Sequence, residues 1–200
     1  MTQANHPRVF DLFETIAIVQ GEPQNLAYHQ HRYAHSLASF YPKQCYQVFD
    51  LASVLQKFLA NNPPSHPLMR CRIDYNASDM AMHLVGYQRR GNLTFQPVIC
   101  DDIDYTLKFT NRNPLNALLQ QRGACDEVII IKHGFVTDCT IGNLVLKKNS
   151  HWYTPSTPLL NGTQRAKLLA EHRISACPIL LRDLDRYEEI RLINALNPLI

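Results

Sequence analysis

Hydrophobic positions along this chain change period several times, and each change marks a predicted element. Leu12–Val19 is an almost unbroken run of aliphatic, aromatic and β-branched residues, which predicts a buried strand, and Gly21-Glu-Pro23 ends it in a turn. Leu26, Tyr33, Leu37 and Phe40 then fall at helical spacing. Val48, Leu51, Leu55, Phe58 and Leu59 form a sharper apolar stripe that predicts a second helix over about residues 47–60. Pro63, Pro64 and Pro67 stop it, because proline lacks the N–H a helix needs and bars its predecessor from helical geometry.

From Met69 the period drops to two. Met69, Cys71, Ile73 and Tyr75 alternate with Arg70, Arg72 and Asp74, the pattern of a half-buried strand. Segments 79–88 and 93–99 flank Arg89-Arg-Gly-Asn92, a stretch with hairpin-loop composition. Residues 1–100 thus read as a strand, two helices and a small antiparallel sheet. Segment 100–104, with three acids and no helical period, reads as a linker, giving a small N-terminal domain (1–101) and a larger C-terminal one (102–200). In the second, Asn113-Pro114 predicts a helix start, with Leu115, Leu118 and Leu119 buried and Gly123 suited to its C-terminal cap. Glu127–Lys132 is a buried strand that His133-Gly134 turns into a strand over 135–139. Strands over 143–148 and 151–154, a helix over 163–172, a strand over 178–182, a short helix over 183–189 and a strand over 190–194 complete an α+β pattern.

Composition narrows the class. With 46% hydrophobic and 18% charged residues the chain is globular, and a net charge of +3 from 20 basic and 17 acidic residues is too mild to argue for nucleic acid. Arg70/Arg72 and Arg89-Arg90 read as solvated strand edges and a turn. The cysteines at 45, 71, 100, 125, 139 and 177 form no C-x-x-C pair, so free thiols in a reducing compartment are expected. The first eight residues carry no apolar signal core and no stretch is long enough to span a membrane, so a cytoplasmic location is expected.

Candidate chemistry comes from order along the chain. Lys108 is followed thirty residues later by Asp138, and then by Pro158-Leu-Leu-Asn-Gly-Thr-Gln-Arg165 running into a helix. An amine, a carboxylate and a helix-start anion site are what pyridoxal phosphate needs for covalent attachment, for its ring nitrogen and for its phosphate. To attack as a nucleophile Lys108 must be neutral, so burial or neighbouring cations should lower its pKa. Arg32, on the first helix, offers a planar, permanently charged fork suited to phosphate, or is a surface arginine; Asp138 is equally able to cap a turn. His29 and His31 stand two apart on a helix and do not share a face, which removes a metal site there.

Together these segments resemble the class IV aminotransferase family, the fold-type IV enzymes of pyridoxal phosphate. Leu12-Phe-Glu-Thr-Ile16 is similar to the family's first core strand, and Leu26-Ala-Tyr-His-Gln-His-Arg32 to its His-x-x-Arg helix. Tyr105-Thr-Leu-Lys-Phe109 is similar to the segment with the Schiff-base lysine, Val136-Thr-Asp-Cys-Thr-Ile-Gly-Asn143 to the Thr-Glu…Asn segment, and Leu160-Asn-Gly-Thr-Gln-Arg165 to the Gly-x-Thr-Arg helix start. The resemblance implies a D-amino acid aminotransferase-like fold with the cofactor between two small α/β domains, and a homodimer. It makes Lys108 the catalytic residue. It assigns the phosphate to Arg32 and to backbone N–H groups at Ile141, Thr163 and Gln164, with Gly162 allowing the close backbone approach, and the pyridine nitrogen to Asp138. Two positions depart from the family: Asp138 stands where glutamate is usual, and Gln164 where threonine is common. Leu192-Ile-Asn-Ala-Leu-Asn-Pro198 is similar to a stretch of aminodeoxychorismate lyases, which implies release of pyruvate and formation of 4-aminobenzoate. An amino acid aminotransferase of D-amino acid or branched-chain type, acting on a small amino substrate, is the alternative. The amino-terminal region is shorter than in full-length members, which motivates a pyridoxal-phosphate-binding protein without turnover. An unrelated α+β binding module is a further reading.

Overall fold

The computed structural model describes residues 9–199; the N-terminal octet read above for a signal core lies outside them. Strand β1 (Leu12–Val19) pairs with the two-residue β2 (Glu22–Pro23), then helix α1 (Leu26–Phe40) and helix α2 (Leu51–Asn61) follow. Strands β3 (Leu68–Tyr75) and β4 (Met80–Gly86) complete an antiparallel sheet of order β2-β1-β3-β4. Leu12, Ile16 and Ile18 of β1 pack with Tyr33 and Leu37 of α1 and Leu51 and Leu55 of α2. The alternate residues Phe13 and Thr15 point the other way, so β1 is covered on both faces and reads as a continuous apolar run.

Helix α2 starts later than its apolar stripe suggests. Asp50 caps it, accepting the N–H groups of Ala52 and Ser53 at 3.3 and 3.2 Å, so Val48 lies outside the helix and exposed. The larger correction concerns strand β5 (Phe95–Ile99). It does not return beside β4 as a hairpin; it pairs in parallel with β6 (Glu127–Lys132), in a three-stranded sheet closed by β7 (Phe135–Val136). The Val-Ile-Ile-Ile run of β6 is buried on both faces: Ile129 and Ile131 meet Leu144 and Leu146, while Val128 and Ile130 meet Leu115 and Leu118 of helix α3 (Asn113–Leu119). Burying a second apolar edge beside that run outweighs the local hairpin signal.

Smaller differences follow from local hydrogen bonds. Asn113 is the first residue of α3 and Arg112 its N-cap, while Asn111 accepts the Asn113 N–H at 3.0 Å. Leu119 is half-buried, and Gly123 adopts positive φ in a turn beyond the helix end rather than capping it. The strand predicted over 135–139 is broken at Thr137, whose N–H and hydroxyl both donate to the Ile130 carbonyl, at 3.0 and 2.7 Å. Beyond the break, β8 (Asp138–Cys139) joins a different sheet, pairing with β9 (Gly142–Lys148). That sheet also holds β10 (His151–Pro155), β11 (Ser175–Cys177) and β12 (Glu189–Ile193), with helix α4 (Thr163–Ala170) between β10 and β11. The predicted strand over 178–182 lies upstream, as β11, and the following short helix is a 3₁₀ turn over Leu181–Arg186. The α+β class stands, and no described helix is long and apolar enough to cross a membrane.

Candidate active site

A cleft of about 260 Å³ opens where the cleft face of β1 and β3, the segment before α3, the β8–β9 turn and the start of α4 converge. Arg32, Lys108, Asp138, Ile141, Gly162 and Thr163 all line it; Gln164 does not. Residues spread over more than half the chain are thus gathered at one place.

Lys108 sits in no regular element, yet its backbone is fixed. Its carbonyl accepts the Phe13 N–H at 3.0 Å, and Thr110 donates to the carbonyls of Phe10 and Asp11. Its ammonium lies 4.6 Å from the centre of the Phe13 ring and has no hydrogen-bond or ion-pair partner among the described residues. Burial first, then the Arg32 guanidinium and more weakly Arg112 and Arg72, push its pKa down from 10.5 to about 7, against the opposing pull of Glu14. An amine so placed is available both as a nucleophile and as a proton carrier near neutral pH.

Arg32 is held by a carboxylate that the apolar pattern of β1 concealed. Glu14 points from β1 toward α1, fully buried, and accepts Arg32 Nε at 2.8 Å and Nη2 at 2.6 Å. It also accepts His29 Nδ1 at 2.6 Å. Burial alone would raise the Glu14 pKa, but Arg32 and His29 hold it at about 2. His29 is itself held below its ordinary value by burial, which makes it neutral, with Nδ1–H on Glu14 and Nε2 accepting the Thr163 hydroxyl at 3.3 Å. This chain joins β1, α1 and the first residue of α4. It leaves Nη1 as the Arg32 nitrogen turned to the cleft rim, 3.4 Å from the Asn161 carbonyl. His31, by contrast, is exposed.

At the far side, both oxygens of buried Asp138 are occupied: Oδ1 accepts Asn143 Nδ2 at 2.8 Å and Oδ2 accepts the Leu160 N–H at 2.9 Å. Burial raises its pKa to about 6, although these two donors and Arg165 pull the other way. Each carboxylate oxygen keeps a second lone pair for a ring N–H. The Thr140–Ile141 turn is pinned from two sides. Arg112 Nη2 donates to the Thr140 carbonyl at 2.6 Å, and the Thr140 hydroxyl lies 2.9 and 2.8 Å from the two oxygens of buried Glu127. Among the described residues, the N–H groups of Ile141, Thr163 and Gln164 donate to no backbone carbonyl. Those of Thr163 and Gln164 stand at the start of α4, open to an anion, while that of Ile141 rests on the Cys139 thiol, a weak acceptor that an anion would displace. The Gln164 side chain is buried away from the cleft, its Oε1 accepting Asn25 Nδ2 at 2.8 Å, so only its N–H could serve.

Gly162 is required by close approach. A Cβ there would lie 1.9 Å from Asn143 Oδ1. Gly162→Ala is therefore expected to displace Asn143 from Asp138 and to shift the start of α4. A loss of about 1–3 kcal/mol is expected in a thermal melt of the cofactor-free protein. Affinity for an added phosphate-bearing cofactor should fall by about tenfold or more in a titration.

Glu14, His29, Arg112 and Asn143 have no role assigned from sequence. The signal for Glu14 was a charged residue inside the run Leu12–Val19, and His29 and Asn143 stand in the His-x-x-Arg and Thr-Glu…Asn segments; Arg112 had none. Arg70 and Arg90 are exposed as expected, but β3 is an inner strand and not an edge, and Arg70, Arg72 and Arg90 all line the cleft.

Comparison with known proteins gives a consistent family. A family model described as amino-transferase class IV matches residues 101–200. The chain is 49% identical over 191 residues to an uncharacterized protein of Haemophilus influenzae, covering 96% of this chain and 100% of that one. It is similar to the crystal structure of a candidate 4-amino-4-deoxychorismate lyase from Haemophilus somnus, with 54% identity, a TM-score of 0.91, and 95% and 98% of the two chains covered. The fold is shared with a hypothetical aminotransferase from Mycobacterium tuberculosis in its PLP-bound form, at 15% identity and a TM-score of 0.74 over 98% of this chain and 85% of that one.

Proposed function

Because the chain belongs to the class IV aminotransferase family, we propose that it is a pyridoxal-phosphate-dependent enzyme acting as a 4-amino-4-deoxychorismate lyase. The observation that carries this reading is Lys108: a cleft amine without a hydrogen-bond partner among the described residues, with a pKa of about 7, facing a cleft that also holds a buried carboxylate and three N–H groups that donate to no backbone carbonyl. That donor set fits the cofactor. Arg32 and the N–H groups of Ile141, Thr163 and Gln164 would hold its phosphate, with Gly162 permitting the approach, and Asp138 would hold its ring nitrogen. When bound, the cofactor supplies an electron sink for a bond broken at the amine-bearing carbon.

The residues of the chain do the rest. Lys108 Nζ would hold the cofactor at rest; as the free amine it would take the proton from the amine-bearing carbon and, as the neighbouring carbon–oxygen bond breaks, give it to the methylene carbon of the leaving enolpyruvate, which departs as pyruvate. Asp138, at the first residue of β8, would accept a ring N–H and keep its positive charge in place. Glu14 and His29 orient Arg32 and the Thr163 hydroxyl, so the phosphate end is fixed before binding. Asn194 and Leu196, in the turn similar to that of the lyases, line the cleft beside Ile141, with Asn194 Nδ2 donating to the Ile141 carbonyl at 3.1 Å.

One preparation tests the reading. Incubated with 4-amino-4-deoxychorismate, the yellow protein should release pyruvate and 4-aminobenzoate in equal amounts. Amino transfer to a 2-oxo acid without pyruvate release would replace the lyase with an aminotransferase. A protein that purifies without cofactor, and takes up none when it is added, would overturn both.

A further inference from the structure

The cleft carries more positive charge than a cofactor phosphate requires. Besides Arg32 and Lys108 it is lined by Arg70, Arg72, Arg90 and Arg112, while Asp138 is its one carboxylate among the described lining residues. Two of these are already engaged. Arg72 is held by Asp74, Nη2 to Oδ1 at 2.6 Å, and lies 3.9 Å from the centre of the Phe13 ring. Arg112 is spent on Thr140 and Tyr105. The Arg70 and Arg90 guanidiniums have no hydrogen-bond or ion-pair partner among the described residues.

Their placement is ordered. In the β1–β3 register Phe13 faces Asp74, Thr15 faces Arg72 and Ala17 faces Arg70, so these pairs share the cleft face. Arg72 thus stands one step, about 7 Å, along the strand from the level of Phe13, on which Lys108 rests, and Arg70 one step further. Arg90 reaches the same wall from the segment after β4, and that segment is fastened. Buried Asn197 accepts the Arg90 N–H at 2.9 Å through Oδ1 and donates through Nδ2 to the Tyr87 hydroxyl at 3.0 Å. Arg90 is therefore a cation on a backbone tied to the 194–197 turn at the cleft, and not a free loop tip.

We propose that Arg70 and Arg90 are specificity-determining residues that bind a substrate carboxylate remote from the reacting amine, with Arg72 between them and Lys108. The substrate class is then an amine carrying two carboxylates; monocarboxylic amino acids would leave this wall unused. Asn197 is a positioning residue that acts through Arg90. The inference rests on the proposed use of Lys108 at the other end of the cleft, but its test does not need turnover.

Calorimetric titration of the purified protein, as isolated, with isophthalate and with benzoate separates one carboxylate from two. Isophthalate is expected to bind about tenfold or more tightly than benzoate, and Arg70→Gln and Arg90→Gln each to lose most of that preference while benzoate affinity stays within about twofold. Arg90→Lys, which keeps the charge but not the fork, should fall between. Asn197→Ala should weaken isophthalate binding without changing the yellow colour. Equal affinity for the two ligands in the unmodified protein would overturn the proposal, as would Gln variants that keep the preference. Both Arg70 and Arg90 are exposed, so these variants are expected to fold, and a far-ultraviolet spectrum checks it. A colourless protein that still prefers isophthalate would sink the cofactor reading and leave the arginine wall standing.

Discussion

Lys108→Met is expected to give a colourless protein whose turnover falls roughly a thousandfold or more, and which is nevertheless more stable than the unmodified chain without cofactor. The two halves of this result have one cause. Burial and the Arg32 guanidinium depress the Lys108 pKa from 10.5 to about 7, so the folded state resists the charge that the unfolded state accepts freely. Between those two pH values the unfolded chain holds a proton that the folded one lacks. Stability contributed at this site therefore rises as pH climbs from about 7 to about 10.5, and the penalty is fully present below 7. Removing the amine relieves it. A gain of about 1–3 kcal/mol at pH 7 is expected, allowing for screening by water that reaches the cleft. Methionine keeps the volume and packs its sulfur on Phe13. Thermal melts of the two cofactor-free proteins at pH 7 and pH 10 check this: the difference should shrink at the higher pH. A variant less stable than the parent at both would show that the amine is not strained.

Glu14→Gln should have the largest effect on the fold. Glu14 is wholly buried and neutralises Arg32 through two hydrogen bonds, so its replacement leaves a guanidinium with 11% side-chain exposure and no countercharge. Breaking a buried pair from one side costs about 3–5 kcal/mol, which is roughly 6–20 °C of melting temperature for a chain of this size. Affinity for the cofactor should fall with it, because the Arg32 fork and the His29–Thr163 contact lose their common anchor. The pH dependence carries its own signature. Glu14 is depressed from 4.5 to about 2, so its contribution is present above pH 4.5 and is lost as pH falls through about 2. His29, held below 6.5, acts in the same direction from pH 6.5 downward, since the unfolded chain protonates there first. Acid unfolding of the parent should therefore steepen below pH 4.5, and Glu14→Gln should lack that component while keeping the one at higher pH. Equal acid profiles would remove the role assigned to Glu14.

The candidate site was legible to unequal depth. Lys108, Asp138 and Gly162 announce themselves through order and local chemistry: a lysine before a capped helix, a carboxylate after a strand turn, a glycine at a helix start. Arg32 is legible only as one arginine on a helix, because the carboxylate that gives it direction lies 18 residues away on another element. Gln164 shows the opposite limit. Its position at the helix start is plain from sequence, but its side chain turns to Asn25 across a separation of 139 residues. Arg70 and Arg72 look like solvated residues on an alternating strand, since alternation reports which residues share a face and not what that face meets.

By itself the sequence determined the local elements. Leu12–Val19, Glu127–Lys132 and the start of α4 at Thr163 follow from apolar period and turn residues, because these act over a few residues and fix which backbone hydrogen bonds can close. The tertiary structure alone decided partners. It moved β5 from an expected hairpin to the side of β6, set Glu14 between His29 and Arg32, and lowered the Lys108 pKa by enclosing it. The physical reason is that burial and electrostatics depend on distance in space, and the groups that matter here are brought together only when three sheets and two helices close on one cleft.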